Sequence, residues 1–205
     1  AGLAARRLLP PGSLAAAPGL PAVIALRGLL AAAFASAEVF VPLLLTREHG
    51  WSLAEAGLTL RAGAVLWSLG SAVQARVQAP HRRRRALQAG FAMVAAGMAV
   101  VGVQLLAGLP AWLVAPAWAL AGFGIGLAFP MLSVQTLALS APGEQGRNAS
   151  ALQLCDALAC SVALAFAGAL FKLAGADGGL AYLPVFVLAL VLAGTGALLG
   201  RRAFA

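Results

Sequence analysis

Residues 81–107 read HRRRRALQAGFAMVAAGMAVVGVQLLA, a run of arginines followed by an uncharged, mostly apolar stretch. A helix needs roughly 20 mostly apolar residues to cross a hydrocarbon core of about 30 Å, and residues 86–107 are enough. Arginines at the end of such a stretch are typical of the cytoplasmic side of a membrane, where they meet anionic lipid headgroups. The pattern predicts a transmembrane helix that enters the bilayer from the cytoplasm.

The same kind of stretch recurs along the whole chain. Hydrophobic residues make up 62% of the sequence, charged residues only 10%, and the mean hydropathy is +0.94. A soluble domain carries about 25% charged residues, so the composition excludes that class. The sequence therefore predicts an all-α membrane protein in which residues 21–205 form a six-helix transmembrane domain and residues 1–20 form a cytoplasmic lead-in or linker. The six predicted spans, called spans one to six, cover residues 22–45, 54–76, 86–107, 112–138, 149–172 and 180–200.

The arginines predict the orientation. Most of them fall before span one, between spans two and three, between spans four and five, and after span six. By the positive-inside rule this places both termini in the cytoplasm of a multi-pass protein of the plasma membrane. The net charge of +8 then reflects contact with anionic lipid, and because the arginines alternate with hydrophobic spans we expect no nucleic-acid partner.

Four charged residues stand out well inside the predicted spans: Arg27, Glu38, Arg61 and Asp156. Charges inside a bilayer are costly and usually functional. Arg27 is close enough to the cytoplasmic end of span one for its side chain to reach the headgroups, so we expect a membrane anchor there. With a rise of about 1.5 Å per residue, the other three come out within the central part of the bilayer.

These three residues have two interpretations. In the structural one, Glu38 and Arg61 form a buried ion pair between spans one and two, and Asp156 bonds to Gln153, Ser161 or a water. In the functional one, a desolvated carboxylate favours its protonated form and can exchange a proton as a cavity opens to each side, although Arg61 would keep a neighbouring acid ionised. We favour the functional interpretation for Asp156, since its own span has no cation at similar depth.

Span four is rich in glycine. It contains Gly122, Gly124 and Gly126, followed by Pro130. Glycines four positions apart leave one helix face without side chains, so a neighbouring helix can approach closely. Pro130 frees a backbone carbonyl and is a candidate hinge.

Weak echoes relate the two halves of the chain. Pro42 near the end of span one corresponds to Pro130 in span four, and Arg61 in span two corresponds to Asp156 in span five. With three spans per unit, the second unit enters the membrane from the opposite side. The sequence therefore predicts an inverted three-plus-three repeat, a feature of secondary transporters.

At this level the chain, over about residues 20–200, resembles one six-helix half of a major facilitator superfamily transporter. The segment from Gly70 to Arg76, followed by Arg82–Arg85, is similar to the family's loop between its second and third helices. It departs from that motif because Gln74 and Ala75 stand where the family has an acid and an arginine. The glycines and Pro130 of span four resemble the family's fourth helix, and residues 144–148 resemble the lead into its fifth. Span five lacks the glycine-proline motif of drug antiporters, so these features together favour a C-terminal half.

The resemblance implies a fold, a function and a set of site residues. It implies alternating access, with a cavity lined by spans one, two, four and five. Glu38, Arg61 and Asp156 would be coupling or substrate contacts, while Gly70 and Arg76 would serve the conformational change. The implied activity is proton-coupled export of a lipophilic or drug-like small molecule, and the implied partner is a second six-helix half, in the same chain or as a second copy.

Two other classes of function compete with transport. The first is a non-transporting half-size membrane module that dimerises or acts as a scaffold for a partner. The second is an intramembrane enzyme, which we do not expect: His49 and His81 fall in loops on opposite sides of the membrane, and no nucleophile or metal set accompanies either. Cys155 and Cys160 lie five positions apart and point to different helix faces, so we interpret them as packing residues. We expect no cofactor and no metal.

Overall fold

The chain folds into a bundle of helices that cross one another at close range. In this computed structural model, residues 10–175 and 178–204 are described, and they contain six helices long and apolar enough to cross a membrane. For the described residues this confirms the predicted all-helical class and the predicted number of helices that could span a membrane. Arg6, Arg7 and Asp177 lie outside them. The six spans cover Leu20–His49, Leu53–Ala75, Pro80–Ala107, Ala111–Ala138, Gln145–Leu173 and Gly179–Phe204.

Within these spans, the α-helices are Leu20–Glu38, Phe40–His49, Leu53–Ala75, Pro80–Ala107, Val114–Ala138, Gln145–Leu173 and Leu183–Leu199. Four short 3-10 helices complete the described structure: Ser13–Ala15 before span one, Ala111–Leu113 and Gly179–Tyr182 at the starts of spans four and six, and Gly200–Phe204 at the end of span six.

The predicted limit of span three is wrong at its N-terminal end. The helix begins at Pro80, six residues before the predicted position, and includes all four arginines. Pro80 occupies the first helical position, where its missing N–H has no intrahelical partner to lose and its fixed φ suits a helix. The helix therefore extends beyond the apolar stretch, which marks only its hydrophobic part.

Span one is interrupted, whereas span four is not. Its helix breaks at Val39, between Glu38 and Phe40. Pro42 explains the break, because a proline removes a backbone hydrogen bond to the carbonyl four residues earlier and clashes with that carbonyl, here that of Glu38. Pro130 lies inside one continuous helix, Val114–Ala138, and a hinge there stays a prediction.

Spans one and four form the interior of the bundle. In their most hydrophobic stretches 67% and 61% of residues are buried, against 22% in span two and 11% in span five. Span four packs between spans two and three, and span one packs against spans five and six. Spans three and six also pack against each other. Spans two and five are therefore peripheral, with most of their surface turned away from the bundle.

The glycines of span four determine how closely its neighbours approach. A Cβ atom on Gly122 would collide with the backbone carbonyl of Gly63, and one on Gly126 with that of Trp67, both in span two. The predicted close approach at this face is thus confirmed. Gly124 points to a different neighbour, since its Cβ would lie 2.5 Å from the Gly90 carbonyl oxygen in span three.

Gly70 and Arg76, from the motif predicted at the end of span two, lie in different surroundings. Gly70 contacts span four, where a Cβ would collide with the Phe123 carbonyl. Arg76 is exposed and forms the C-terminal cap of the span-two helix. Gly70 therefore serves packing, and Arg76 lies at the end of the helix.

Ser71 compensates for the proline of span four. Pro130 has no N–H to donate to the carbonyl of Gly126, four residues earlier. The Ser71 hydroxyl of span two donates to that oxygen, at 3.3 Å. A polar side chain from a neighbouring helix thus satisfies the carbonyl that the proline frees.

Candidate functional site

Arg27 is a buried charged residue whose side chain has several hydrogen-bond partners. Its side chain is only 4% exposed and its Nε donates to Oδ2 of Asp156 in span five at 3.1 Å. The predicted role as a headgroup anchor is therefore wrong. Arg27 turns inward because a carboxylate and further acceptors meet it there, and a long side chain reaches the headgroups only when it points outward.

Span four supplies the remaining partners of Arg27. Its Nη1 donates to the Ser133 hydroxyl at 2.7 Å and to the Phe129 carbonyl oxygen at 3.1 Å. The guanidinium carbon also lies 3.2 Å from the centre of the Phe129 ring, a cation–π contact. One cation thus joins spans one, four and five.

Asp156 is less enclosed than its partner. Its side chain is 16% exposed, and Oδ1, the oxygen that does not receive Arg27, accepts a hydrogen bond from the Cys160 thiol at 3.8 Å. Its side-chain partners are Arg27 and Cys160, in place of the predicted Gln153 or Ser161. Cys160 is therefore more than a packing residue, whereas Cys155 packs against span one, 2.8 Å from where a Cβ on Gly28 would lie.

An aromatic cluster lies beside the ion pair. It consists of Phe34, Trp67, Trp118 and Phe129, from spans one, two and four. Phe34 packs against Trp118 with ring centres 4.5 Å apart and against Trp67 at 5.5 Å. Trp67 in turn meets Phe129 at 5.6 Å, edge to face. The ring that stacks on Arg27 therefore belongs to a continuous aromatic cluster, in which Phe34 and Trp118 are buried.

The predicted Glu38–Arg61 ion pair does not form. Both side chains are exposed on the bundle, and the ion pairs among the described residues are Arg27–Asp156 and the surface pair Arg147–Glu144. Arg61 lies two positions before Gly63, which contacts Trp118 in span four, so on a helix it projects from the opposite side of span two. Their roles in coupling or substrate contact stay predictions.

The spacing of several residues in the sequence could have pointed to this site. Arg27, Phe34 and Glu38 lie seven and four positions apart, and such residues share one face of a helix. Phe129 and Ser133, four apart in span four, also share a face. Arg27 contacts both residues of the second set, whereas Phe34 packs against Trp67 and Trp118. Glu38 continues that face of span one to its break.

The ion pair between Arg27 and Asp156 could be broken by a change in the charge of the carboxylate. Asp156 has one oxygen held by a guanidinium and one near a weak thiol donor, so protonation of the carboxylate would release the Coulombic attraction to Arg27. Arg27 would keep its bonds to Ser133 and Phe129. Among residues 10–175 and 178–204, no three His, Cys, Asp or Glu side chains converge to hold a metal ion.

No protein-family model matches the chain, and no curated protein matches it. Function is therefore inferred from the geometry of the site.

Proposed function

We propose that the protein is a secondary active membrane transporter, or one half of such a transporter, that works by alternating access. The observation that carries this proposal is the Arg27–Asp156 ion pair, which lies within the helical bundle and joins spans one, four and five. Ionisable residues within membrane spans mark ion and substrate pathways. Because the pair links three helices, making or breaking it would change which helices are held against one another.

Proton coupling follows from the chemistry of the pair. When Asp156 is ionised, it holds Arg27 and thereby draws span five against spans one and four. When Asp156 gains a proton, the attraction weakens and span five can move relative to the others. The partial exposure of Asp156 supports access of a proton to its carboxylate, and the Ser133 hydroxyl and Phe129 carbonyl would remain hydrogen-bonded to Arg27 in either state.

The pattern of burial supports the inverted repeat. If spans one, two and three correspond to four, five and six, the buried shares pair as 67% with 61%, 22% with 11%, and 39% with 33%. The main packing pairs also map onto one another, since two–four corresponds to five–one and three–four to six–one. Inverted repeats of this kind are a common plan of secondary transporters.

We further propose that the chain is a C-terminal half of the major facilitator type in the plasma membrane, with both termini cytoplasmic. The arginines in alternate connections between the spans support the orientation. The aromatic cluster beside Arg27 supports a lipophilic or drug-like cargo, exported in exchange for protons. The exposed surfaces of spans two and five support a second six-helix unit as partner. They equally fit the alternative, a half-size module that dimerises without transporting.

Reconstitution into liposomes tests transport. The full chain would be reconstituted into liposomes with an acidic interior. Ethidium, a lipophilic dye, would then be added outside the vesicles. We expect dye uptake and proton loss to rise together above the rate of empty liposomes. Both should vanish in Arg27→Gln/Asp156→Asn and persist in Glu144→Gln/Arg147→Gln, which neutralises the exposed pair. Wild-type vesicles that move neither dye nor protons faster than empty ones would contradict proton-coupled export.

Labelling tests the orientation. A cysteine introduced as Arg83→Cys, in a background of Cys155→Ser and Cys160→Ser, should react with an impermeant thiol reagent only from the cytoplasmic side. Reaction from outside alone would overturn the proposed topology.

A further inference from the structure

A groove runs along the outer surface of the bundle between spans one, five and six. Its volume is about 520 Å³ and its lining is largely aliphatic. Gly28 and Ala32 line it in span one, where span five packs so closely that a Cβ on Gly28 would lie 2.8 Å from the Cys155 sulfur. The larger lining residues are Leu29, Val162, Phe166, Leu188, Leu192 and Leu199.

The groove is distinct from the ion-pair site. Gly28 directly follows Arg27, and neighbouring residues on a helix point about 100° apart, so the two sites use different faces of span one. Val162 in span five is 68% exposed and Phe166 is 59% exposed. Exposed apolar side chains on a membrane span face either hydrocarbon or a partner protein, and we assign this side of span five, next to span six, to lipid.

One end of the groove is basic and structured. The turn Ser13–Ala15 lines this end, next to Arg202 at the end of span six. Nη1 of Arg202 donates to the carbonyl oxygens of Ala15 and Ala16 at 3.3 and 3.4 Å. A guanidinium carries five N–H donors, so Nε and Nη2 supply more. Arg201, the preceding residue, is exposed as well, so two cations follow each other at the end of span six, of which Arg202 lines the groove.

We propose that this groove binds an anionic phospholipid. One acyl chain lies along Gly28, Ala32 and Leu192, and the phosphate contacts Arg201 and Arg202 at the membrane surface. The groove fits an acyl chain because its lining is largely aliphatic, and it fits a phosphate because Arg202 lines one end of it. Basic pockets between membrane helices bind anionic headgroups on this principle. The inference depends on membrane insertion and is independent of transport.

Native mass spectrometry of the detergent-purified full chain tests the proposal with dioleoylphosphatidylglycerol and dioleoylphosphatidylcholine as probes. We expect phosphatidylglycerol to bind about tenfold more tightly than phosphatidylcholine. The electrostatic attraction between two surface arginines and an anionic lipid is large enough for this difference. Arg201→Gln/Arg202→Gln should abolish this preference. Arg82→Gln/Arg85→Gln removes the same charge at another basic segment and should retain it. Equal losses in both double variants would overturn the site, because the preference would then come from net charge.

A second pair of variants tests the acyl chain. Val162→Trp places a large ring in the groove from an exposed position, so it should weaken binding of phosphatidylglycerol at least fivefold while leaving the fold intact. Val65→Trp makes the same change at a similarly exposed position in span two, outside the groove, and should bind lipid as the wild type does. Unchanged binding by Val162→Trp would overturn the proposal.

Discussion

Arg27 and Asp156 are 129 positions apart in the chain, yet their side chains meet within the bundle at 3.1 Å. Arg27 also bonds to Ser133, so three of the six spans share one cation. The contact explains how a charge is retained in a mostly apolar interior, since an ion pair with additional hydrogen bonds offsets part of its desolvation. It also means that spans one, four and five cannot separate without a change in this pair.

Removing one partner of the pair should destabilise the fold strongly. Asp156→Ala leaves Arg27 buried without its counter-charge, at a cost of about 3–5 kcal/mol. Arg27→Met/Asp156→Leu removes both charges and should unfold at a higher temperature than Asp156→Ala. Thermal unfolding in detergent measures both.

The exposed pair Arg147–Glu144 provides the control. Glu144→Ala should cost only about 0–1 kcal/mol, because both side chains are in contact with solvent. Equal losses for Asp156→Ala and Glu144→Ala would mean that the Arg27 pair contributes no more than a surface contact.

The span-four glycines should not tolerate bulk. In Gly122→Leu and Gly126→Leu the new side chain meets the backbone of span two, which cannot rotate away as a side chain can. We expect a loss of about 1–3 kcal/mol or more in unfolding free energy. Gly168→Leu is the matched control, because nothing lies within 4 Å of its Cβ position. Similar melting temperatures for all three variants would show that spans two and four do not pack at these glycines.

Ser71 and Pro130 should be coupled energetically. Ser71→Ala leaves the Gly126 carbonyl without its donor and should cost about 0.6 kcal/mol, the average for hydrogen bonds between membrane helices, and at most about 1.7 kcal/mol. Pro130→Ala restores an N–H that can reach the same carbonyl, so the effect of Ser71→Ala should shrink in that background. A double-mutant cycle measured by unfolding tests this. An unchanged effect of Ser71→Ala would contradict the compensation.

Glu38 and Arg61 should behave independently. Because the two exposed side chains form no ion pair, the effects of Glu38→Gln and Arg61→Gln on unfolding free energy should add within about 0.5 kcal/mol. A larger coupling energy in the double variant would mean that the side chains meet in the membrane.

The spans were predictable because length and hydropathy are local properties, and the close approach at Gly122 and Gly126 because their spacing defines a helix face. The position of Arg27 was not. Its depth along span one allowed it to point outward, and its true partner depends on how span five packs against span one. The Ser71 bond to Gly126 was equally hidden, since it requires knowing which helix lies beside Pro130. Pairings between distant spans are set by tertiary packing, which hydropathy does not encode.

Accessibility of Cys160 tests alternating access most directly and needs no substrate. Cys160 lies near the middle of span five with its thiol 3.8 Å from Asp156. In a Cys155→Ser background, an impermeant methanethiosulfonate reagent should modify Cys160 from each side of the membrane in turn. A lipid-facing Val191→Cys, with Cys160 also replaced, should react from neither side. Modification of Cys160 from both sides is the result that we predict. Reaction from one side only, or from neither, would contradict a transporter whose pathway passes Asp156.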